Sequence, residues 1–285
     1  MQAQKFQTRQ VMHNNTFEVF HYFDAQPSCV ALHHHDFYEV YYFAGDSAEY
    51  RVEGRTYHLR HGDLLLINPM ELHQPLVAPG VDYDRVVLWI SKSFLDGFSG
   101  EGVDLANCFD LTRPAHVNLL RLNPKQMRRL EDALLALVRE SYGESYASSV
   151  YANALFLQFM VELNRLALQP GGGAAPQHTG SELAASALRY IGAHYHEPLS
   201  LDSLAERFFV SKYHLSHTFT ATVGTSVYRY IVLKRLLMAK QMLLEGQSPG
   251  SVSRNCGFPD YASFYRAFRA EYGAGPKEFL GRADS

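Results

Sequence analysis

Apolar positions in the first ninety residues come in short runs. Val19, Tyr22–Phe23, Phe37–Phe43, Ala48–Val52, Thr56–Leu59, Leu64–Ile67 and Tyr83–Ile90 are rich in β-branched and aromatic residues. Between them stand Gly45-Asp46, Glu53-Gly54 and His61-Gly62-Asp63, residues that favour tight turns. Short strands so regularly spaced predict a sandwich or barrel. Then the period changes. Asn123-Pro124 forms a helix cap and first-turn pair, followed at helical spacing by Met127, Leu130, Leu134 and Leu137. A second helix is predicted over about Ser148–Leu168, with Leu155, Phe156, Phe159, Met160, Leu163 and Leu166 on one face. The pattern leaves two destinations for these helices: the barrel, or a second copy of the chain.

The segment 169–180, rich in Gly and Pro, buries nothing and reads as a flexible linker. It separates a first domain, 1–168, from a helical domain, 181–285. Seven helices are predicted after it, at about Ser181–Tyr195, Leu201–Phe208, Lys212–Val223, Val227–Glu245, Gly250–Cys256, Tyr261–Tyr272 and Pro276–Leu280. The expected fold class is therefore α+β with two domains: a β-barrel or sandwich with two following helices, then an all-α domain.

Composition adds boundaries to this picture. A hydrophobic share of 47% and a charged share of 19% are those of a folded, soluble chain. No apolar run reaches the length of a membrane span, and Met1–Asn15 has no apolar core of a secretory signal. Cys29, Cys108 and Cys256 have no metal or redox spacing, so a reduced cytoplasmic protein without cofactor is expected. The net charge of -3 is unevenly spread. Residues 1–180 carry 14 basic against 20 acidic side chains, while 181–285 carry 12 against 9. The sign reverses in the helical half, which weakly favours an anionic partner there.

That half repeats one plan. Leu201–Ser211 leads into Lys212–Phe219, and Ser248–Asp260 leads into Tyr261–Phe268. Each is a short helix, a turn and a second helix. Ser211 and Asp260 suit the caps of the second helices, and Gly257 suits a left-handed turn. Leu215/Phe219 and Phe264/Phe268 would face inward. The opposite faces then carry Tyr213, Ser216, His217 and Thr220 in one unit, and Tyr261, Ala262, Tyr265, Arg266 and Arg269 in the other. Such a helix fits the major groove, and Arg clasps guanine or phosphate in two places.

From Leu199 to Phe279 the chain resembles the AraC/XylS-type transcription regulators. The matching residues are Ser211-x-x-His-Leu-Ser, Phe219, Gly224-Thr-Ser226, Tyr230-Ile231, Arg235, Ala239, Leu243-Leu244, Gly257-Phe-x-Asp260, Ser263-Phe264, Arg266-x-Phe-Arg269, Gly273 and Gly275-Pro276-x-x-Phe279. The resemblance implies a seven-helix domain of two helix-turn-helix units acting on double-stranded promoter DNA. It puts base reading on Tyr213, Ser216 and His217, and on Tyr261, Ala262, Tyr265 and Arg266. The chain departs from the pattern at Pro249-Gly250, at Ser253, and at His217, where many relatives carry Arg. Unequal reading by the two units is expected.

In the first half, His33-His34-His35-x-x-x-Glu39, Gly62-Asp63 and Asn68-Pro69-x-x-x-His73 resemble the cupin barrel. In one extended strand His33, His35, Glu39, Tyr41 and Phe43 would share a face, with His73 arriving from a later strand. Three readings stay open. The residues His33, His35, Glu39, Tyr41 and His73 hold a small effector such as a sugar or related metabolite; His33, His35, Glu39 and His73 bind a metal; or the histidines are structural. Regulators of this resemblance often carry such a barrel as their effector domain, which implies that 1–168 is a cupin-like β-barrel for effector binding and dimerisation. The expected protein is thus a non-enzymatic regulator of transcription, a homodimer away from membranes, touching RNA polymerase if it activates. The alternative is a metal-dependent cupin enzyme or metal-binding protein with an appended DNA-binding domain. A weaker third is an effector-independent regulator whose barrel only dimerises. Met1–Thr16 is read as an arm or as disordered chain.

Overall fold

A computed structural model describes residues 11–25, 30–78, 80–113, 116–169 and 181–283. Most of the expected arm, Cys29 and nearly all of the expected linker fall outside these residues. The chain divides into two compact units, Met1–His178 and Thr179–Ser285.

Among its described residues the first unit has eight strands in two antiparallel sheets. In the larger, the order is β1 (Phe17–Asp24), β7 (Tyr83–Ile90), β2 (Tyr38–Phe43), β5 (Leu64–Ile67) and β8 (Leu119–Leu120). In the smaller, β3 (Ser47–Val52) lies between β4 (Arg55–Arg60) and β6 (His73–Leu76). Alternation along each strand gives the larger sheet two buried faces. Tyr38, Val40, Leu64, Leu66, Leu88 and Ile90 point one way, into a core shared with helices α2 (Pro124–Ser141) and α3 (Ser148–Ala167). Phe17 of β1 stacks on Phe156 of α3 with centroids 4.5 Å apart. Both helices therefore bury Leu130, Leu134, Leu137, Phe156, Phe159 and Leu163 within their own unit. Tyr41, Phe43, Leu65, Tyr83, Val87 and Trp89 point the other way, toward the smaller sheet. Burial on both faces explains why β2, β5 and β7 read as nearly continuous apolar runs.

Local chemistry fixes the turns and caps. Glu53 and Gly54 both have positive φ, which lets two residues close the β3–β4 hairpin. Asn123 caps α2 with a full capping box to Gln126. Gly62 lies under Met127, where a Cβ would stand 2.1 Å from the sulfur. Beside it the buried Asp63 accepts from Arg121 at 2.9 and 2.6 Å. The Gly62-Asp63 pair thus seats α2 against the β4–β5 turn. A short helix α1 (Lys92–Asp96) follows β7. Among the described residues no helix is long and apolar enough to cross a membrane.

The second unit contains seven helices among its described residues: α4 (Glu182–His194), α5 (Leu201–Arg207), α6 (Lys212–Val223), α7 (Val227–Leu244), α8 (Pro249–Asn255), α9 (Tyr261–Tyr272) and α10 (Pro276–Ala283). Helix α7 is buried nearly all round because it serves both halves. Its Tyr230 meets Phe219 of α6 edge-on at 5.6 Å. Its Val232, Leu236, Ala239 and Leu243 pack with Val252, Phe264 and Phe268 of the second half. Helix α8 forms despite Pro249-Gly250, because Pro occupies the first turn and Ser248 caps it.

Candidate functional site

Two helix-turn-helix pairs, α5–α6 and α8–α9, lie in the second unit. Ser211 accepts from the backbone N–H of His214 at 3.1 Å and Asp260 from that of Ser263 at 2.6 Å, so both reading helices start where the sequence places their caps. Leu215, Phe219, Phe264 and Phe268 are fully buried. That inward anchoring turns the other face of each helix to solvent. In α6, Tyr213, His217 and Thr220 are exposed and Ser216 is half-buried; the four line one shallow surface groove with Ala221. The Tyr213 and His217 rings are near-parallel at 6.0 Å. In α9, Tyr261, Ala262, Tyr265, Arg266 and Arg269 are all exposed. Arg266 is steadied by a 3.3 Å hydrogen bond to the Ser263 hydroxyl, and Tyr265 packs directly against Gly275. Every reading residue expected from the sequence is thus at the surface of α6 or α9. Only the second face is cationic.

The barrel interior holds the other cluster. His33 and His35 do not belong to β2, which begins at Tyr38; a single extended strand through 33–43 is not what forms. Instead His33 makes an isolated bridge with His73, exchanging backbone hydrogen bonds of 3.1 and 2.9 Å. The three rings gather even so, with centroids 4.3 Å apart for His33–His73 and 4.7 Å for His35–His73. Each Nδ1 faces a backbone carbonyl: Ala31 for His33, Phe37 for His35 and Glu71 for His73, at 2.8–3.0 Å. A carbonyl only accepts, so each Nδ1 carries the proton and each Nε2 is left to face inward.

Glu39 is the hub. Its carboxylate accepts from Trp89 Nε1 at 3.0 Å and from the Tyr50 hydroxyl at 3.4 Å, and His35 Nε2 lies 3.3 Å away. Burial alone would raise the Glu39 carboxyl, but His35, His33 and the Trp89 N–H hold it below the usual carboxylate range. Although His33 keeps some accessible surface, protein encloses its ring; burial and the neighbouring His35 push its imidazole down to about 4. Burial, with His33 and His35 beside it, also holds His73 well below the usual imidazole range. Ligand atoms of His35, Glu39 and His73 lie within 4.8 Å of one another. Nitrogens held by carbonyls on their far side and a buried carboxylate are the donor set a divalent cation takes.

A small cavity adjoins this cluster, lined by His33, Glu39 and Tyr41 together with Tyr22, Tyr83 and Arg85. His35 and His73 stand behind its wall rather than on it. Its volume is about 20 Å³, the room of one water rather than of a sugar. Arg85, Tyr22, Tyr50 and Tyr83 were not among the residues expected at this site. For Tyr83 and Arg85 the signal lies in the period of β7, where Tyr83, Arg85, Val87 and Trp89 share the inward face, and an Arg in such an apolar run is rare; Tyr22 and Tyr50 come from β1 and β3.

A barrel of this topology followed by paired helix-turn-helix units defines a class: regulators that couple a ligand-binding domain to DNA binding. A family model described as AraC-like ligand binding domain matches residues 16–160, and one described as Helix-turn-helix domain matches residues 204–282. The chain belongs to the AraC family of transcriptional regulators. It is 24% identical over 254 residues to the HTH-type transcriptional activator RhaS of Escherichia fergusonii, covering 89% of this chain and 88% of that protein. It is 26% identical over 249 residues to the uncharacterized HTH-type transcriptional regulator YfiF of Bacillus subtilis, covering 87% and 78%. Over 91 residues it is 34% identical to the probable transcriptional regulator LumQ of Photobacterium leiognathi, covering 32% and 37%.

Proposed function

We propose that this regulator reads promoter DNA with two unequal helices. Helix α9 supplies the base-specific grip through Arg266, with Arg269, Tyr261, Ala262 and Tyr265 around it. Helix α6 adds weaker contacts through Tyr213, Ser216, His217 and Thr220. The observation that carries this reading is the pairing of faces: each helix buries two apolar residues four apart and exposes the expected readers opposite them. Joined through α7, two such helices suit successive major grooves about 34 Å apart. A small molecule held in the barrel at Glu39, Tyr41 and His33, backed by His35 and His73, biases how the helical units are presented. The reading extends to a cytoplasmic homodimer with four helix-turn-helix units on a long repeated site, and to contact with RNA polymerase where it activates.

The test is binding of the full chain to promoter fragments recovered by genome-wide mapping of its sites. Arg266→Ala is expected to weaken specific binding by roughly 1–3 kcal/mol and to relax preference at one base pair. His217→Ala costs less. Equal losses for the two variants would end the claim of unequal reading, and no loss for Arg266→Ala would remove α9 from that role. Salt dependence is no substitute, since phosphate contacts alone produce it.

A further inference from the structure

Strand β7 places one cation inside the barrel. Arg85 is only 4% exposed, and its guanidinium lies over the rings of Tyr83 and Tyr22 at 4.3 and 4.9 Å. The protein engages one of its nitrogens. Nη1 lies 2.6 Å from the Asp24 carboxylate and donates to the Tyr83 carbonyl at 3.0 Å. Nε and Nη2, which form the other edge of the fork, meet no acceptor among the described residues. That edge belongs to a residue that lines the cavity. Two parallel N–H groups are the shape that a carboxylate accepts in both oxygens at once.

The other end of the cavity differs. There Glu39 presents a carboxylate that accepts from Trp89 and Tyr50, with His35 Nε2 at 3.3 Å. In the β2–β7 register Arg85 lies opposite Phe43 and Trp89 opposite Glu39, so cation and anion stand four residues apart along the strands, roughly 13 Å of backbone. Between them the Tyr41 hydroxyl donates to that of Tyr83.

We propose that the barrel takes a small carboxylic acid bearing a hydroxyl at its far end, with the carboxylate on Nε and Nη2 of Arg85 and the hydroxyl donating to Glu39. The proposal rests on the reading of the barrel interior as the effector site. The far hydroxyl follows from Glu39: a buried carboxylate accepts from a ligand hydroxyl, whereas a second ligand carboxylate there would meet like charge. A sugar acid and a hydroxylated aromatic acid share this chemistry. The cavity as it stands has room for about one water, so either acid enters by moving a ring. The Tyr41–Tyr83 bond is the one it can replace, because a carboxylate accepts more strongly from a tyrosine than another tyrosine does.

The experiment is calorimetric titration of the full chain with D-glucuronate and 4-hydroxybenzoate, and with their neutral twins D-glucose and 4-hydroxybenzyl alcohol. At least one acid is expected to bind, and to bind roughly ten- to hundredfold more tightly than its twin. Arg85→Lys keeps the charge beside Asp24 but loses the fork, and should erase that preference while the circular dichroism spectrum is retained. Should Arg85→Lys fail to fold, Tyr41→Phe, which removes the hydroxyl that would donate to the carboxylate, should still weaken the acid several-fold. Neutral twins binding as well as the acids, or no acid binding at all, would overturn the proposal. If the neutral twins bind and Glu39→Gln abolishes it, the effector reading of the barrel stands without the acid. If a probe binds and neither Arg85→Lys nor Glu39→Gln changes it, the barrel reading itself falls.

Discussion

The two helix-turn-helix units share a backbone plan and meet its tightest point with different residues. Each first helix ends in a left-handed residue that turns the chain toward the reading helix: Phe209 at φ 54° in one, Gly257 at φ 75° in the other. The hydrogen bonds correspond pair for pair. Phe209 and Val210 donate to the carbonyls of Glu206 and Ala205; Gly257 and Phe258 donate to those of Arg254 and Ser253. What differs is the space beyond the Cα. A Cβ at Gly257 would stand 2.6 Å from the His196 carbonyl oxygen and 2.9 Å from that of Tyr195. The Phe209 side chain is 95% exposed. The Tyr195–Glu197 strand of chain is pinned there by Arg235, which donates to the Tyr195 and Glu197 carbonyls at 2.8 Å each. A left-handed residue with a Cβ costs on the order of 1–2 kcal/mol. That cost is bearable where solvent receives the side chain, and compounds where backbone is already in contact. A shared conformation therefore does not dictate glycine; the neighbours do.

The largest effect expected from this comparison is at Gly257. Gly257→Ala adds left-handed strain to a backbone clash and should lower stability by roughly 3 kcal/mol or more, read by urea denaturation of the full chain. A loss below about 1 kcal/mol would show that the pinned segment yields and would break the contrast.

The caps sharpen it next. Ser211→Ala should cost about 1 kcal/mol at any pH between 3 and 7, since a hydroxyl does not titrate there. Asp260 is a charged cap, and hydrogen bonds from the Ser263 N–H and hydroxyl hold its carboxyl below the usual range. A carboxyl lowered by folding stabilises fully above its unfolded value and loses that contribution as pH falls through its folded value. The cost of Asp260→Ala should therefore shrink on acidification below about pH 4 while that of Ser211→Ala does not. Parallel pH profiles for the two variants would refute the distinction. The smallest effect is at Phe209. Phe209→Gly relieves strain and pays glycine's chain entropy, so it should be neutral or stabilising by up to about 1 kcal/mol. A clear loss would mean that the exposed ring packs on something.

Much of this was legible in the chain. The Asn123-Pro124 start of α2 and the Ser211 and Asp260 caps are local signals, and local hydrogen bonds made each of them true. The repeat of short helix, turn and reading helix needed only spacing and the buried pairs Leu215/Phe219 and Phe264/Phe268. The extended strand through His33 and His35 was wrong, because the backbone N–H and C=O of His33 pair with His73 rather than continuing into β2. Periodicity could not see that, since a bridge between residues forty apart leaves no trace in either one's neighbours. Arg85 was missed for a related reason. Nothing near it in sequence says that it faces Tyr22 and Asp24, which register alone brings across from β1.

Sequence by itself determined the order and kind of the longer elements, though not β8, α1 or the chain at His33–His35, and also the approximate ends of the helices and which face of α6 and α9 is apolar. Those follow from periods of two and 3.6 residues and from capping groups within one turn. Tertiary structure decided the rest: that α2 and α3 cover the barrel, that its interior keeps only a water's room beside a carboxylate and a guanidinium, and that one left-handed turn must be glycine while its counterpart carries Phe209. Each of these depends on an atom contributed from elsewhere in the chain, and packing, unlike periodicity, has no range along the sequence.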